Sequence, residues 1–196
     1  MKVSCWPENA DSGEILMKPL CILNQYYTPG TKLYAIMMRH ANQVTAKALE
    51  VAARVKYLKP DLKFITEAAM LHDIGIFLTN TPQLGCKGTQ PYILHGYLGG
   101  KILEKHNLPK HALVCERHVG VGLSKDDIKS QGLDLPIRDM LPVSLEEQII
   151  CYADKFFSKS NGAMDKAKSL NQIINSLKPY GKDKVERFKA WAKLFG

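Results

Sequence analysis

Six histidines stand in this 196-residue chain, at positions 40, 72, 95, 106, 111 and 118, and one of them is followed directly by Asp73. A further carboxylate, Asp154, sits within Ile149-Ile150-Cys151-Tyr152-Ala153-Asp154-Lys155-Phe156-Phe157. A charge in such an apolar stretch is costly unless a cation or hydrogen bonds compensate it, and a metal ion is a common way to do so. Imidazole and carboxylate together suit first-row divalent ions. A carboxylate can bridge two ions, and a bridged pair can hold hydroxide at neutral pH and clamp a phosphoryl group. Spacing alone does not establish such a site, because residues this far apart must come from separate elements.

Those elements read as helices. Thr31 can cap a helix whose apolar stripe (Leu33, Ile36, Met37, Val44, Ala48, Val51, Val55) recurs every three to four residues. It ends near Lys59–Pro60, and His40 lies inside the stripe. The pattern predicts a second helix over 64–74, with Ile65, Ala68, Ala69 and His72 on one face and Gly75 ending it. A third is predicted over 93–105, and a fourth opens at Pro109 and reaches His118. Ser144 followed by Glu147 predicts a capping box for a fifth helix running to about 158. Shorter helices are expected over 19–27, 124–130, 163–177 and 182–195, the last docking Val185, Phe188, Trp191 and Phe195 on the body. Residues 79–92 and 119–143 read as loops, and a loop as long as the second is usually functional or disordered. Residues 1–17 read as a loose leader. No segment alternates with period two and no repeat is present, so the expectation is an all-α, single-domain chain over 1–196.

Taken singly, each candidate has an ordinary reading. His40 fits a satisfied core histidine, His72-Asp73 a cap, and His95 and His118 caps at helix ends. His106 and His111 flank Pro109 at a helix–helix turn and are expected to be solvated. Tyr26, Tyr27, Tyr34, Phe156 and Phe157 read as core, and Lys155 as a surface lysine. There is no GxGxxG, Walker A or HExxH, and no nucleophile elbow, so dinucleotide, P-loop and zincin chemistry have no support.

The local words are more specific in combination. His40 in a helix, then His72-Asp73-Ile74-Gly75, His95-Gly96, Arg117-His118 followed by Gly120-x-Gly122, and Asp154-Lys155 occur in that order. Over roughly residues 31–160 this resembles the HD-domain superfamily of metal-dependent phosphohydrolases. The resemblance implies an orthogonal helical bundle, here with extra N- and C-terminal helices (residues 161–196 forming the C-terminal extension). His40, His72, Asp73 and Asp154 match the four-ligand signature of the first metal. His95 and His118 match the extra histidines of two-metal members, in which the aspartate of the His-Asp pair, here Asp73, bridges and is the catalytic carboxylate. The implied cofactor is a pair of divalent transition-metal ions (iron, manganese, cobalt, nickel or zinc). The implied reaction is attack of a metal-bridging hydroxide on a small phosphate ester or anhydride, such as a nucleotide. Lys155 is the first candidate to neutralise the substrate phosphate, with Arg117 and Lys125 behind it.

Two other readings share this ligand set. One is an HD-type mixed-valent di-iron oxygenase. Phosphonate-cleaving members are expected to carry Tyr and Glu just before the first histidine, whereas this chain has no acid between Glu14 and His40. The other is a catalytically weak sensor of a phosphorylated ligand, against which the intact ligand set argues.

Composition sets the outer bounds. Apolar residues make up 45% and charged residues 23%, which is globular rather than disordered, and no run approaches the ~18 apolar residues of a membrane span. Five cysteines, widely spaced and without CxxC, argue against a disulfide framework and for a reducing, cytoplasmic setting. The net charge of +8 is uneven. Residues 15–60 carry +6, residues 155–196 carry +7 and residues 61–154 carry −3. A basic balance suits nucleic acid or a small anion. With no nucleic-acid-binding motif present, a small phosphorylated substrate is the expected partner.

Overall fold

The computed structural model describes residues 19–159 and 166–196, and every regular element among them is helical. The leader expected over 1–17, and the start of the helix expected at 163, lie outside the described residues. The helices run in the order α1 (Pro19–Tyr26), α2 (Lys32–Arg54), α3 (Leu62–Leu71), α4 (His95–Lys105), α5 (Pro109–Arg117), α6 (Lys125–Ser130), α7 (Leu145–Asp154), α8 (Leu170–Leu177) and α9 (Lys182–Phe195). None of them is long and apolar enough to cross a membrane.

The chain's own caps set where these helices begin. Thr31 accepts the Tyr34 N–H at 3.2 Å and opens α2, which buries the predicted stripe from Ile36 to Val51 together with His40, while Leu33 stays half-buried. Asp61 accepts the Phe64 N–H at 2.9 Å, so α3 starts two residues before the predicted Phe64. It ends at Leu71 rather than residue 74, because His72 to Gly75 turn out of the helix. Only half of the box predicted at Ser144 forms. Ser144 accepts the Glu147 N–H, but the Glu147 carboxylate takes the Val143 N–H at 2.7 Å and the Arg117 guanidinium instead. The helix stops at Asp154, four residues short of the predicted end. The full reciprocal box occurs instead at Ser124 and Asp127, opening α6.

Two close approaches join the helices that matter for the site. A Cβ on Gly96 would stand 2.5 Å from the Cys115 carbonyl oxygen, and one on Gly75 would stand 2.2 Å from the His95 carbonyl oxygen. With side chains there, α4 could reach neither α5 nor the turn after α3. The glycines therefore bring His72-Asp73, His95 and His118 to one place. On the far side, α9 buries Phe188 and Phe195 in one cluster with Tyr152 and Phe156, as the 182–195 pattern predicts.

His111 corrects the sequence expectation of a solvated side chain, and His106 does so in part. His111 is buried edge-on to the Phe64 ring, 4.8 Å between centroids, with Nε2 3.4 Å from Glu67. His106 is half-buried, with Nε2 2.7 Å from the Tyr26 hydroxyl. The turn that carries them packs under α1 and α3, a tertiary contact that local pattern does not reveal.

Candidate metal centre

Five elements converge on Asp73. His40 comes from the middle of α2, His72 and Asp73 from the turn ending α3, His95 from the first residue of α4, His118 from the cap of α5 and Asp154 from the end of α7. All six are buried. The two oxygens of Asp73 face different sets. Oδ2 lies 3.2 Å from both His40 Nε2 and His72 Nε2, and Asp154 Oδ1 completes that set at 2.9 Å from His40 and 3.5 Å from His72. Oδ1 lies 3.3 Å from both His95 Nε2 and His118 Nε2, which are 3.1 Å from each other.

Three of the imidazoles are aimed by the same device. Nδ1 of His72, His95 and His118 each lies 2.6 Å from the carbonyl oxygen three residues earlier, that of Ala69, Tyr92 and Cys115. A carbonyl can only accept, so the proton sits on Nδ1 and Nε2 is turned toward Asp73. Among the described residues, His72 Nε2 and Asp73 Oδ1 are buried without a hydrogen-bond partner. Asp73 Oδ1, and His72 Nε2 once its proton is displaced, are acceptors at separations that fit divalent ions, whose bonds to imidazole nitrogen and carboxylate oxygen are about 2.0–2.2 Å. The atoms divide into two candidate groups that share Asp73: His40, His72, Asp73 and Asp154, and Asp73, His95 and His118.

The electrostatics also point to a cation site. Burial opposes charge on His72, yet Asp73 and Asp154 push its pKa up to about 9. Burial, with His72 and His95 as neighbours, pushes His118 down to about 4. Burial works against ionisation of Asp73, but His72 and Lys159 hold its carboxyl well below the usual range. Asp154 is held low in the same way by Lys155 and Lys159. A metal at the first site must displace the proton on His72, which makes its binding pH-dependent.

A cavity of about 540 Å³ opens over the cluster and is lined by His95, His118 and Asp154 together with Ile173, Leu177 and Tyr180 of the C-terminal helices. Tyr92 lines it too, stacked on the His95 ring at 4.5 Å.

The HD domain family model matches residues 37–158, a segment that holds every one of the six residues. The chain belongs to the HD domain family. Related chains include the tRNA (cytidine(56)-2'-O)-methyltransferases of Picrophilus torridus (30% identity over 71% of this chain) and Thermoplasma volcanium (28% over 95%). The uncharacterized protein MJ0778 of Methanocaldococcus jannaschii is 33% identical over 60% of this chain. The chain spans 35%, 49% and 64% of those three proteins respectively, so each is longer than the part it shares. Among solved structures, the HD domain of the L. monocytogenes phosphodiesterase PgpH, in complex with cyclic-di-AMP, is similar in fold. Its TM-score is 0.51 at 13% identity, covering 93% of this chain and 96% of that one.

The remaining sequence candidates divide around this HD-domain site. Lys155 is at the cluster, its Nζ 2.8 Å from Asp154 Oδ2 and 3.4 Å from the His118 carbonyl oxygen. Arg117 is not. It donates to both oxygens of Glu147, at 3.0 and 3.1 Å, and does not line the cavity. The Lys125 side chain is exposed at the start of α6, also outside the lining. Sequence reasoning missed Lys159, which lies 2.7 Å from Asp73 Oδ2. Its only local signal is a second lysine in Asp154-Lys155-Phe156-Phe157-Ser158-Lys159. The lysines lining the cavity (155, 159, 168 and 184) all belong to the basic C-terminal segment. The basic segment 15–60 contributes none among the described residues; Lys47 and Arg54 there pair with Glu50.

Proposed function

We propose that this chain is a metal-dependent phosphohydrolase acting on a small phosphate ester or anhydride, with nucleotides the first substrates to try. The observation that carries the reading is the division of Asp73, one oxygen toward His40 and His72 and the other toward His95 and His118. Such a carboxylate suits a bridging ligand between two ions drawn from iron, manganese, cobalt, nickel or zinc. A bound pair supplies Lewis-acid polarisation of a phosphoryl oxygen and hydroxide near neutral pH.

The chain's own groups do the rest in this reading. Carbonyls at 69, 92 and 115 fix the imidazoles through Nδ1, so the ligand geometry is set before any ion arrives. Lys155 offsets charge on the phosphoryl oxygens. The apolar part of the lining, Ile173 and Leu177, receives the organic part of the substrate and excludes water there. Residues 166–196 are thus, in this reading, an extension that helps line the cavity of one HD domain.

Elemental analysis of the purified protein, run beside a phosphatase panel of nucleotides, dinucleoside polyphosphates and sugar phosphates, tests the reading. Two ions per chain and turnover of at least one phosphate ester are expected. His95→Ala should stay folded, hold one ion and lose most activity. Full activity with one ion per chain would overturn the two-ion assignment, and a mixed-valent iron signal with oxygen uptake would overturn hydrolysis. Because two relatives are tRNA-modifying enzymes by name, tRNA belongs in the panel, with binding followed as a function of salt.

A further inference from the structure

We propose that Lys159 makes this site selective for a phosphate monoester dianion, by holding the third terminal oxygen of the phosphoryl group beside the ions on Asp73. The proposal rests on the phosphohydrolase reading and adds to it the class of ester accepted.

Lys159 lies just beyond the segment that matches the family model, residues 37–158, so the family words do not assign it. Its Nζ stands 2.7 Å from Asp73 Oδ2 and 4.0 Å from Asp154 Oδ1, with the side chain only 12% exposed. What exposure remains is toward the cavity. An ammonium has three N–H donors and no acceptor. One is directed at Asp73, and the Tyr92 hydroxyl is a further hydrogen-bonding neighbour. An ammonium on the lining of the cavity has a further donor to offer a ligand there.

Charge accounting then sets the ligand. Lys155 pairs with Asp154 and Lys159 with Asp73. Two divalent ions would add four positive charges to this buried group, and imidazole ligands carry no negative charge to offset them. A hydroxide offsets one. A dianion offsets twice what a monoanionic diester does, in surroundings where exposed water screens little. Oxygen count points the same way. A monoester offers three terminal oxygens, one for each ion and one for Lys159, whereas a diester offers two. Any ion held by Asp73 Oδ2 is a near neighbour of this ammonium, and an anionic oxygen between them turns mutual repulsion into shared attraction. Lys155 is less free for the task, being engaged by Asp154 Oδ2 and the His118 carbonyl oxygen.

The test uses the full chain loaded with Mn²⁺, as wild type, K159M and K159R. Three quantities are read: ions per chain, the Kd of orthophosphate, and the ratio of kcat/KM for p-nitrophenyl phosphate to that for bis-p-nitrophenyl phosphate. K159M should keep both ions, bind orthophosphate about tenfold or more weaker, and lose the monoester preference by a similar factor. K159R should recover most of both. If Lys159 merely neutralises Asp73 in the metal-free protein, K159M will bind Mn²⁺ tighter with orthophosphate affinity and ester ratio unchanged, and the proposal is overturned. Loss of ions in both variants overturns it as well, since Lys159 would then be holding the carboxylates in place. Wild type that binds orthophosphate at its ions yet hydrolyses neither ester sinks the phosphohydrolase reading instead, while the binding arm still reports on Lys159.

Discussion

Phe188 and Asp73 are both sealed from solvent, at 0% and 1% exposure, and their surroundings have almost nothing in common. Phe188 stacks on Tyr152 at 5.2 Å and packs with Phe156, Trp191 and Phe195 in an apolar cluster to which α2, α3, α7, α8 and α9 all contribute. That cluster is complete as it stands. Its stability comes from area removed from water and needs no ligand. Asp73 is ringed by four imidazole nitrogens and a lysine. Its region holds polar atoms that hydrogen bonds within the protein do not satisfy, so it is organised for something added. The two regions meet on α7, where Tyr152 faces the aromatic cluster and Asp154, two residues on, faces His40 in the candidate metal site. One helix end therefore joins the part that holds the fold to the part that holds the chemistry.

If this division is right, substitutions should separate along it. Asp73→Ala should have the largest effect. Both candidate groups share this residue, so the protein should stay helical, bind neither ion, and lose phosphate-ester hydrolysis by about 1,000-fold or more, read by elemental analysis and steady-state rates. One ion retained at full occupancy would break the shared-carboxylate reading. Phe188→Ala should cost about 3–5 kcal/mol in denaturant unfolding while the folded fraction keeps its ion stoichiometry. Loss of ions from the folded protein would show that the two regions are not separable.

Gly96→Ala probes the contact that joins α4 to α5. Its Cβ would stand 2.5 Å from the Cys115 carbonyl oxygen and 2.6 Å from Val119 Cγ2, so about 1–3 kcal/mol of destabilisation is expected. Metal titration should show the His95–His118 site weakened more than the His40–His72–Asp154 site. The smallest effect at neutral pH concerns His111. Burial pushes its pKa down to about 4, so the native imidazole is neutral while the unfolded one takes up a proton below its ordinary value of about 6.5. The unfolded state then binds more protons, and stability falls as pH drops from about 6.5 toward 4, by about 2 kcal/mol at pH 5. In His111→Phe that contribution should vanish from a pH series of urea midpoints, with ion content unaffected.

The site was legible in the sequence to the extent that its residues sit in short, ordered words. His72-Asp73-Ile74-Gly75 carries its own turn, and the glycine is explained by the close approach of α4. His40 stood out as a histidine inside an apolar stripe, and it is buried on the same face of α2. What was hidden depended on contacts between segments. Arg117 looked like a phosphate ligand because it precedes His118, but successive residues at a helix end point in different directions, and Glu147 of α7 claims it. His111 looked solvated beside Pro109 until α3 covered it. Lys159 had no word of its own, and only the chain's path after α7 turns it back toward Asp73.

The sequence alone determined the helical class, most helix starts through Thr31, Pro109 and Ser144, and the identity of six buried ligand candidates. These follow from local periodicity, capping and residue chemistry, which act over a few positions. The charge distribution was equally plain in the sequence, basic at both ends around an acidic middle. Tertiary structure decided which basic end matters. Lysines 155, 159, 168 and 184 of the C-terminal segment line the cavity over Asp73, and among the described residues no cation of the segment 15–60 does. Charge acts through distance in space and not along the chain, so net charge alone could not say which cations would line a cavity, and packing chose them.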